Sequence, residues 1–249
     1  MPISNASLLD EDFSAIDDWT NGDQAPATST QETFDGEETL CQDTNGSAAG
    51  NDYAYVYRDV GSLDGLGNTI VISIRMYIDL IGTLADTDVV VLHFRRSDWR
   101  LEVVFASDGL YISDGVDYNE VGVNLVQQDT WQEWTFVCDL SGGAANATCD
   151  VYLDDSLEGN DIDCSEALPF TDGLIDIYTL GYVTDNCIAY FDWLKIGDGV
   201  VTSTIISDSV INISDTFKNL DSIKINIGDS WKDVTAAYVN ISDVWKQIF

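Results

Sequence analysis

The chain has 249 residues, 45% of them hydrophobic, so it can bury a core of ordinary size. It carries 44 acidic residues against 10 basic ones, a formal net charge of −34. Such a surface repels phosphate backbones and anionic lipid, which argues against nucleic-acid binding and against attachment to a membrane surface.

The N-terminal residues MPISNASLLDEDF contain no basic stretch and no long apolar segment, so they do not predict a signal peptide. The most apolar run, 69–82, is interrupted by Arg75 and Asp79 and is too short to span a bilayer. We therefore expect synthesis in the cytoplasm and no membrane insertion.

Helical periodicity is nearly absent between residues 50 and 200, where short β-rich segments alternate with Gly, Asp and Asn turns. The predicted strands are 53–60, 69–79, 89–96, 100–106, 110–113, 121–126, 131–140, 149–155, 176–183 and 188–197. Many short strands at close spacing predict an all-β sandwich or jelly roll.

Three of these strands carry most of the arginines and the only histidine. Period-two alternation puts polar side chains on one face of each strand, and we predict that the three strands are neighbours. The resulting candidates for glycan binding are Arg75, Tyr77, His93, Arg95, Arg100 and Glu102.

The guanidinium groups of these arginines could bind the carboxylate of an acidic sugar through paired hydrogen bonds. Two alternatives stay open. In the first, Arg95 and Arg100 simply pair with Glu102 and nearby aspartates. In the second, a Tyr or His base and a charge-neutralising Arg perform lyase chemistry.

Five cysteines, at positions 41, 138, 149, 164 and 187, show no C-x-x-C spacing. Cys138 and Cys149 flank DLSGGAANAT, a predicted hairpin loop, which would place them across from each other. Buried free thiols are the simpler interpretation for the whole set.

The C-terminal part of the chain repeats. Residues 211–220, 225–234 and 239–248 read INISDTFKNL, INIGDSWKDV and VNISDVWKQI, at a spacing of 14 without gaps. Each unit is a short alternating strand, a turn pair and a second strand, which predicts three tandem β-hairpins of 14 residues. We therefore divide the chain into a domain at 1–199 and a repeat module at 200–249.

Phe217, Trp231 and Trp245 occupy the same position of each repeat. A module of about 40 residues is near the lower limit for a core of its own. We expect these rings to pack in an assembly, as in a homo-oligomer or against other assembly proteins. The alternative is a compact appendage that buries itself against the first domain of a monomer.

The order of segments in the first domain resembles concanavalin A-like and laminin G-like domains. The resemblance lies in LLDEDFSAIDDW, in TWQEWTFVCDLSGGAANATCDVYLDD with its Trp-led and VYLD strands, and in the closing strand IAYFDWLKIGDG. It implies a concanavalin A-like jelly-roll sandwich over about residues 8–199, with the first and last strands adjacent.

The glucanase branch of this superfamily holds a structural calcium ion, and the resemblance implies Ca²⁺ here. Matching positions are Asp12, Asp43, Gly46 and Asp192. Hard oxygen ligands from distant segments suit this ion. The simpler alternative is that Asp192 is a strand residue that accepts hydrogen bonds from backbone N–H groups.

Those glucanases also use a Glu-x-Asp-x-x-Glu motif for catalysis. No predicted strand has this spacing, so we expect no catalytic residues and no enzyme of this type. The C-terminal repeats, in turn, resemble xVNVGGxWKxV-type repeats near the C-termini of tailed-phage virion proteins.

The leading hypothesis is a structural protein on a virion or cell surface: a capsid decoration, a fibre or a tail adhesin, with glycan contact as an option. One alternative is a lyase-like, polysaccharide-active enzyme. The other is a lectin module of a larger adhesin.

Overall fold

The computed structural model describes the residues 2–45, 52–86, 88–181, 187–202, 224–227, 230–233, 238–241 and 244–247. They belong to two compact units, Met1–Thr202 and Ser203–Phe249.

The first unit is built from strands joined by short turns. In chain order these strands are β1 Pro2–Ser4, β2 Leu9–Glu11, β3 Thr20–Asn21, β4 Thr28–Phe34, β5 Glu37–Asp43, β6 Asp52–Asp59, β7 Thr69–Leu80, β8 Val89–Arg96, β9 Trp99–Ala106, β10 Gly109–Ser113, β11 Tyr118–Val123, β12 Trp131–Asp139, β13 Thr148–Leu153, β14 Ser156–Asp163, β15 Leu174–Gly181, β16 Ile188–Gly197 and β17 Val200–Thr202. Its described helices are single 3₁₀ turns at Leu63–Leu66, Leu84–Asp86 and Ala144–Asn146. In the part of the chain described, no helix has the length and apolar character to cross a membrane.

Two antiparallel sheets form the unit. Sheet A has the strand order β11-β10-β9-β8-β15-β6-β3, and sheet B has the order β14-β13-β12-β7-β16-β5-β4, with β2 beside β16. Strand β1 pairs with β17, so the first and last strands of the unit are adjacent. These sheets confirm the all-β sandwich predicted from the sequence.

The core lies between the two sheets. On β7 of sheet B, the alternate residues Ile70, Ile72 and Ile74 are fully buried. Phe105 of sheet A meets Trp134 of sheet B edge to face, with ring centroids 5.5 Å apart. Burial of these apolar faces supplies the main driving force for the sandwich, since hydrophobic stabilisation grows with the apolar area removed from water.

The second unit contains four described strands. Strand β18 Lys224–Ile227 pairs with β19 Ser230–Asp233, and β20 Tyr238–Ile241 pairs with β21 Val244–Gln247.

In both ladders the repeated Asn is opposite the repeated Trp: Asn226 pairs with Trp231, and Asn240 pairs with Trp245. The second and third repeats thus each contain two paired strands. Phe217 and the first repeat lie outside the described residues.

Candidate functional site

One row of residues crosses four strands on the outer surface of sheet A. His93 on β8 lies opposite Glu102 on β9 and opposite Asp176 on β15, and Asp176 lies opposite Tyr57 on β6. Directly opposed side chains on one face of a sheet are close enough to interact. We call His93, Glu102 and Asp176 the charged row.

Ion pairs hold the charged row together. His93 Nε2 lies 3.2 Å from Glu102 Oε2, and its Nδ1 lies 3.7 Å from Asp176 Oδ2. Arg95 Nη2 is 2.6 Å from the same Asp176 oxygen. Asp176 is completely buried, and a buried charge is costly without such partners.

Arg100 extends this network towards the segment that follows β14. Its Nη2 is 2.7 Å from Glu102 Oε2. Its guanidinium also donates two hydrogen bonds to the Glu166 carboxylate, at 2.7 and 2.8 Å. The Phe170 ring covers the guanidinium at 5.3 Å, and the Tyr118 hydroxyl donates to Glu102 Oε1 at 2.7 Å. Both arginines on this face are therefore paired with carboxylates, as in the first alternative to glycan binding.

The pairing changes the proton affinities within the row. Burial acts to raise the pKa of Glu102, but hydrogen bonds from His93 and Tyr118 and the charge of Arg100 lower the pKa to about 2. Burial acts to lower the pKa of His93, but the neighbouring carboxylates of Asp176 and Glu102 outweigh it and raise the pKa above 6.5. Both shifts favour the charged forms.

Four half-buried tyrosines, Tyr53, Tyr55, Tyr57 and Tyr178, border the charged row on β6 and β15. We call them the tyrosine strip. Tyr55 stacks on Tyr178 with centroids 4.2 Å apart and an interplanar angle of 8°, and on Tyr57 at 5.5 Å. Tyr53 meets Tyr55 edge-on at 6.3 Å.

The tyrosine strip and the charged row are in contact. The Tyr55 hydroxyl donates to Asp176 Oδ1 at 2.8 Å, and the His93 ring lies edge-on to Tyr178 at 5.3 Å. The sequence prediction missed the strip, although YAYVY at 53–57 carries its signal: three tyrosines on alternate positions of one strand share a face.

Two predicted glycan-binding residues lie elsewhere. Strand β7 belongs to sheet B, so the expectation that it neighbours β8 is wrong, because the chain passes from one sheet to the other between them. Arg75 contacts Asp192 and lies 4.5 Å over the Trp131 ring. Tyr77 packs against Phe34 with centroids 4.8 Å apart. His93, Arg95, Arg100 and Glu102 do come together on sheet A.

Three further aromatic residues near loops or strand ends divide between the core and the surface. Trp19 and Trp99 are buried, with 7% and 0% of their surface exposed, and they belong to the core. Tyr118 is 48% exposed beside the charged row.

The predicted calcium ligands do not converge. Asp43 pairs with the residue four positions before Asp192, about 13 Å away along an extended strand. Asp192 instead contacts Arg75, and Asp12 and Asp43 each accept the N–H of the residue two positions on, at 3.0 and 2.7 Å. This arrangement does not fit one Ca²⁺ ion, whose ligands lie about 2.3–2.6 Å away. Gly46 lies outside the described residues, so calcium binding itself stays a prediction.

No group of three or more His, Cys, Asp and Glu side chains within the described ranges is arranged to hold a metal ion.

The sequence matches no protein-family model and no curated protein. Several solved structures share its fold. One is "Cellulose induced protein, Cip1", with a TM-score of 0.50, 12% identity, and coverage of 76% of this chain and 97% of that chain. The fold is a concanavalin A-like jelly-roll sandwich.

Two botulinum neurotoxin structures are also similar. The binding domain of botulinum neurotoxin DC, solved in complex with SialylT, has a TM-score of 0.52 and 10% identity, over 79% of this chain and 49% of that chain. A type C toxin, described as entering cells through two ganglioside molecules, has a TM-score of 0.51 and 9% identity, over 81% and 48%. This chain spans about half the length of either toxin chain. Identities this low establish the fold alone.

Proposed function

We propose that the protein is a non-enzymatic, glycan-binding component of a virion or cell-surface assembly, and that the glycan binds along the tyrosine strip. The observation that carries the proposal is the contact between this strip and the charged row: the stacked rings of Tyr55 and Tyr178 lie beside His93 and Asp176 on one outer sheet face.

Sugars suit such a surface because a pyranose has apolar C–H faces and a polar rim of hydroxyl groups. The C–H faces pack on tyrosine rings, while the hydroxyl groups need fixed donors and acceptors nearby. Arg95 and His93 keep 22% and 13% of their side chains exposed, so each retains some access to a ligand.

The charge distribution favours a neutral glycan over an acidic one. Arg95 and Arg100 already contact carboxylates, so an acidic sugar would have to compete with Asp176 and Glu102 for them. The formal net charge of −34 would also repel it. A neutral glycan would neither compete with these carboxylates for the arginines nor be repelled by the net charge.

The fold is compatible with this proposal. The similar structures include a protein named for induction by cellulose and toxins described with SialylT and with gangliosides. These descriptions concern those proteins, and the proposal for this chain depends on its own residues.

Glycan arrays and titration with soluble neutral polysaccharides test the binding site. Tyr178→Ala should weaken binding by about tenfold or more, the loss expected when one central aromatic contact is removed. The matched control is Tyr152→Ala, which removes a half-buried tyrosine from β13 of sheet B and should leave affinity unchanged. Melting curves establish that both variants fold. Equal affinities for the two variants would contradict the proposed site.

The assembly role is supported by the repeats, whose second and third copies form separate two-stranded ladders. Two strands alone seldom make a stable unit in water, so these ladders need further packing partners. Light scattering coupled to gel filtration, on the full chain and on residues 1–202, tests this role. We expect a larger oligomer for the full chain. Two monomers of equal stability would contradict it.

A further inference from the structure

We propose that Cys138 and Cys149 form a disulfide when the protein folds in an oxidising medium, and that the bond cross-links β12 to β13 in sheet B. The structure holds both residues as free, buried thiols. This inference does not depend on glycan binding.

The two cysteines meet the geometric requirement for a disulfide. They are directly opposite each other in the β12–β13 ladder, and their Sγ atoms are 3.6 Å apart. Opposed residues in antiparallel strands have Cα atoms about 4.5–5.5 Å apart, inside the range of about 4.4–6.8 Å that disulfides span. A small side-chain rotation would bring the sulfur atoms to a bond length of about 2.05 Å.

Cys164 is the competing partner, because its buried thiol also acts to raise the pKa of Cys138. Cys164 follows the end of β14, however, and β13 lies between β14 and β12. Neighbouring strands are about 4.7–4.9 Å apart, so two strand spacings separate Cys164 from Cys138 by about 9–10 Å, beyond the usual span of a disulfide. Cys164 is also a diagonal neighbour of Cys149, which is opposite Ile162, and diagonal Cα atoms are about 7–8 Å apart. Strand order and register therefore select Cys138 and Cys149.

The reaction is thiol–disulfide exchange with a small-molecule disulfide as the oxidant. One cysteine thiolate attacks the oxidant to give a mixed disulfide and one small thiol. The second cysteine then displaces the other small thiol. Two protein thiols are oxidised, one disulfide is reduced to two thiols, and the two protein protons end on those thiols.

Burial restricts when this exchange occurs. Both cysteine side chains are completely buried, and burial raises the pKa of each thiol. Since the thiolate is the attacking species, folded molecules should react slowly. Molecules that fold in the presence of the oxidant should form the bond while β12 and β13 come together.

The test uses the full chain, unfolded in denaturant and refolded either with reduced and oxidised glutathione or with dithiothreitol. Free thiols are then alkylated in denaturant and mapped by mass spectrometry. With glutathione we expect two of the five thiols to be protected, and one linked peptide pair that contains Cys138 and Cys149. With dithiothreitol all five should be alkylated.

Two variants identify the partner. Cys164→Ser should keep the linked peptide pair, whereas Cys149→Ser should abolish it. The proposal is overturned if the glutathione-refolded wild-type chain retains five alkylated thiols, or if its linked peptides contain Cys164. Because both readouts come from the wild-type chain, a failure of either variant to fold leaves the decision unaffected.

Discussion

His93 and Glu102 face each other across β8 and β9, with Nε2 and Oε2 3.2 Å apart. The only histidine of the chain is thus paired with a carboxylate that also forms an ion pair with Arg100 and accepts a hydrogen bond from the Tyr118 hydroxyl. The charges on the face of sheet A therefore act as one network, whose members are brought together by strand register.

Removal of the central carboxylate charge should destabilise the fold. Glu102→Gln leaves His93 and Arg100 without their shared charged partner, so we expect the free energy of unfolding to fall by about 1–3 kcal/mol in urea titrations. The control is Glu120→Gln on β11, an exposed glutamate, which should stay within about 0.5 kcal/mol of wild type. A similar loss in both variants would contradict this role for Glu102.

The same network predicts a pH dependence on the acid side. The folded pKa of Glu102 is about 2, below the ordinary 4.5, so its ionisation stabilises the fold above about pH 4.5. That contribution is lost as the pH falls from 4.5 towards 2. The difference in unfolding free energy between wild type and Glu102→Gln should therefore shrink over this interval. Wild type and variant share all the other acidic residues, so subtracting the two unfolding free energies removes the effect of repulsion among those residues.

His93 predicts the opposite trend on the alkaline side. Its folded pKa is raised above 6.5, so protonation stabilises the fold fully below pH 6.5, and this contribution is lost as the pH rises through the folded pKa. Unfolding of wild type and His93→Gln, compared from pH 5 to 9, should show a difference that diminishes with rising pH. A difference that stays constant over that range would exclude a protonated His93.

Tyr55 should support the buried carboxylate of Asp176. Tyr55→Phe keeps the stacked ring but removes the 2.8 Å hydrogen bond to Asp176 Oδ1, and we expect a loss of about 1–3 kcal/mol in unfolding free energy. Tyr57→Phe, a change of the same kind in the same strip, serves as the control. If both variants unfold like wild type, Asp176 does not need this donor.

Lyase activity should be absent. The base for such a reaction must lose its proton, yet burial and the hydrogen bond to Glu102 raise the pKa of Tyr118, and the pKa of His93 is also raised. Tyr77, the other candidate base, is on β7 in sheet B. Incubation with alginate, pectin and glycosaminoglycans should therefore give no absorbance from unsaturated products. A signal that His93→Ala removes would overturn this expectation.

The sequence identified strands well where alternation was strong. The segment 89–96 matches β8. On β9, Trp99, Leu101 and Val103 alternate with Arg100 and Glu102 and are buried. Strands β1 to β5 were not predicted, because residues such as TSTQETF are mostly polar and mostly exposed, without the alternation that marks a half-buried strand.

Strand partners were harder to predict than strand faces. Alternation shows which side chains share a face, but it does not show which strands lie side by side. The assignment of Arg75 to the same surface as His93 failed for this reason. Asp176 was missed because its role depends on β15 lying between β8 and β6, a long-range pairing that leaves no local signal.

The position of β16 affects how the first unit would respond to mechanical load. This strand lies between β7 and β5 in sheet B, and the chain continues from it to β17, which pairs with β1. Pro2 is opposite Thr202 in that pairing, so the start of β1 and the end of β17 lie at the same end of the ladder. Opposite pulls on these two ends would open the ladder one residue pair after another. Strand β16 would resist longer, because it is bonded to a neighbour on each side.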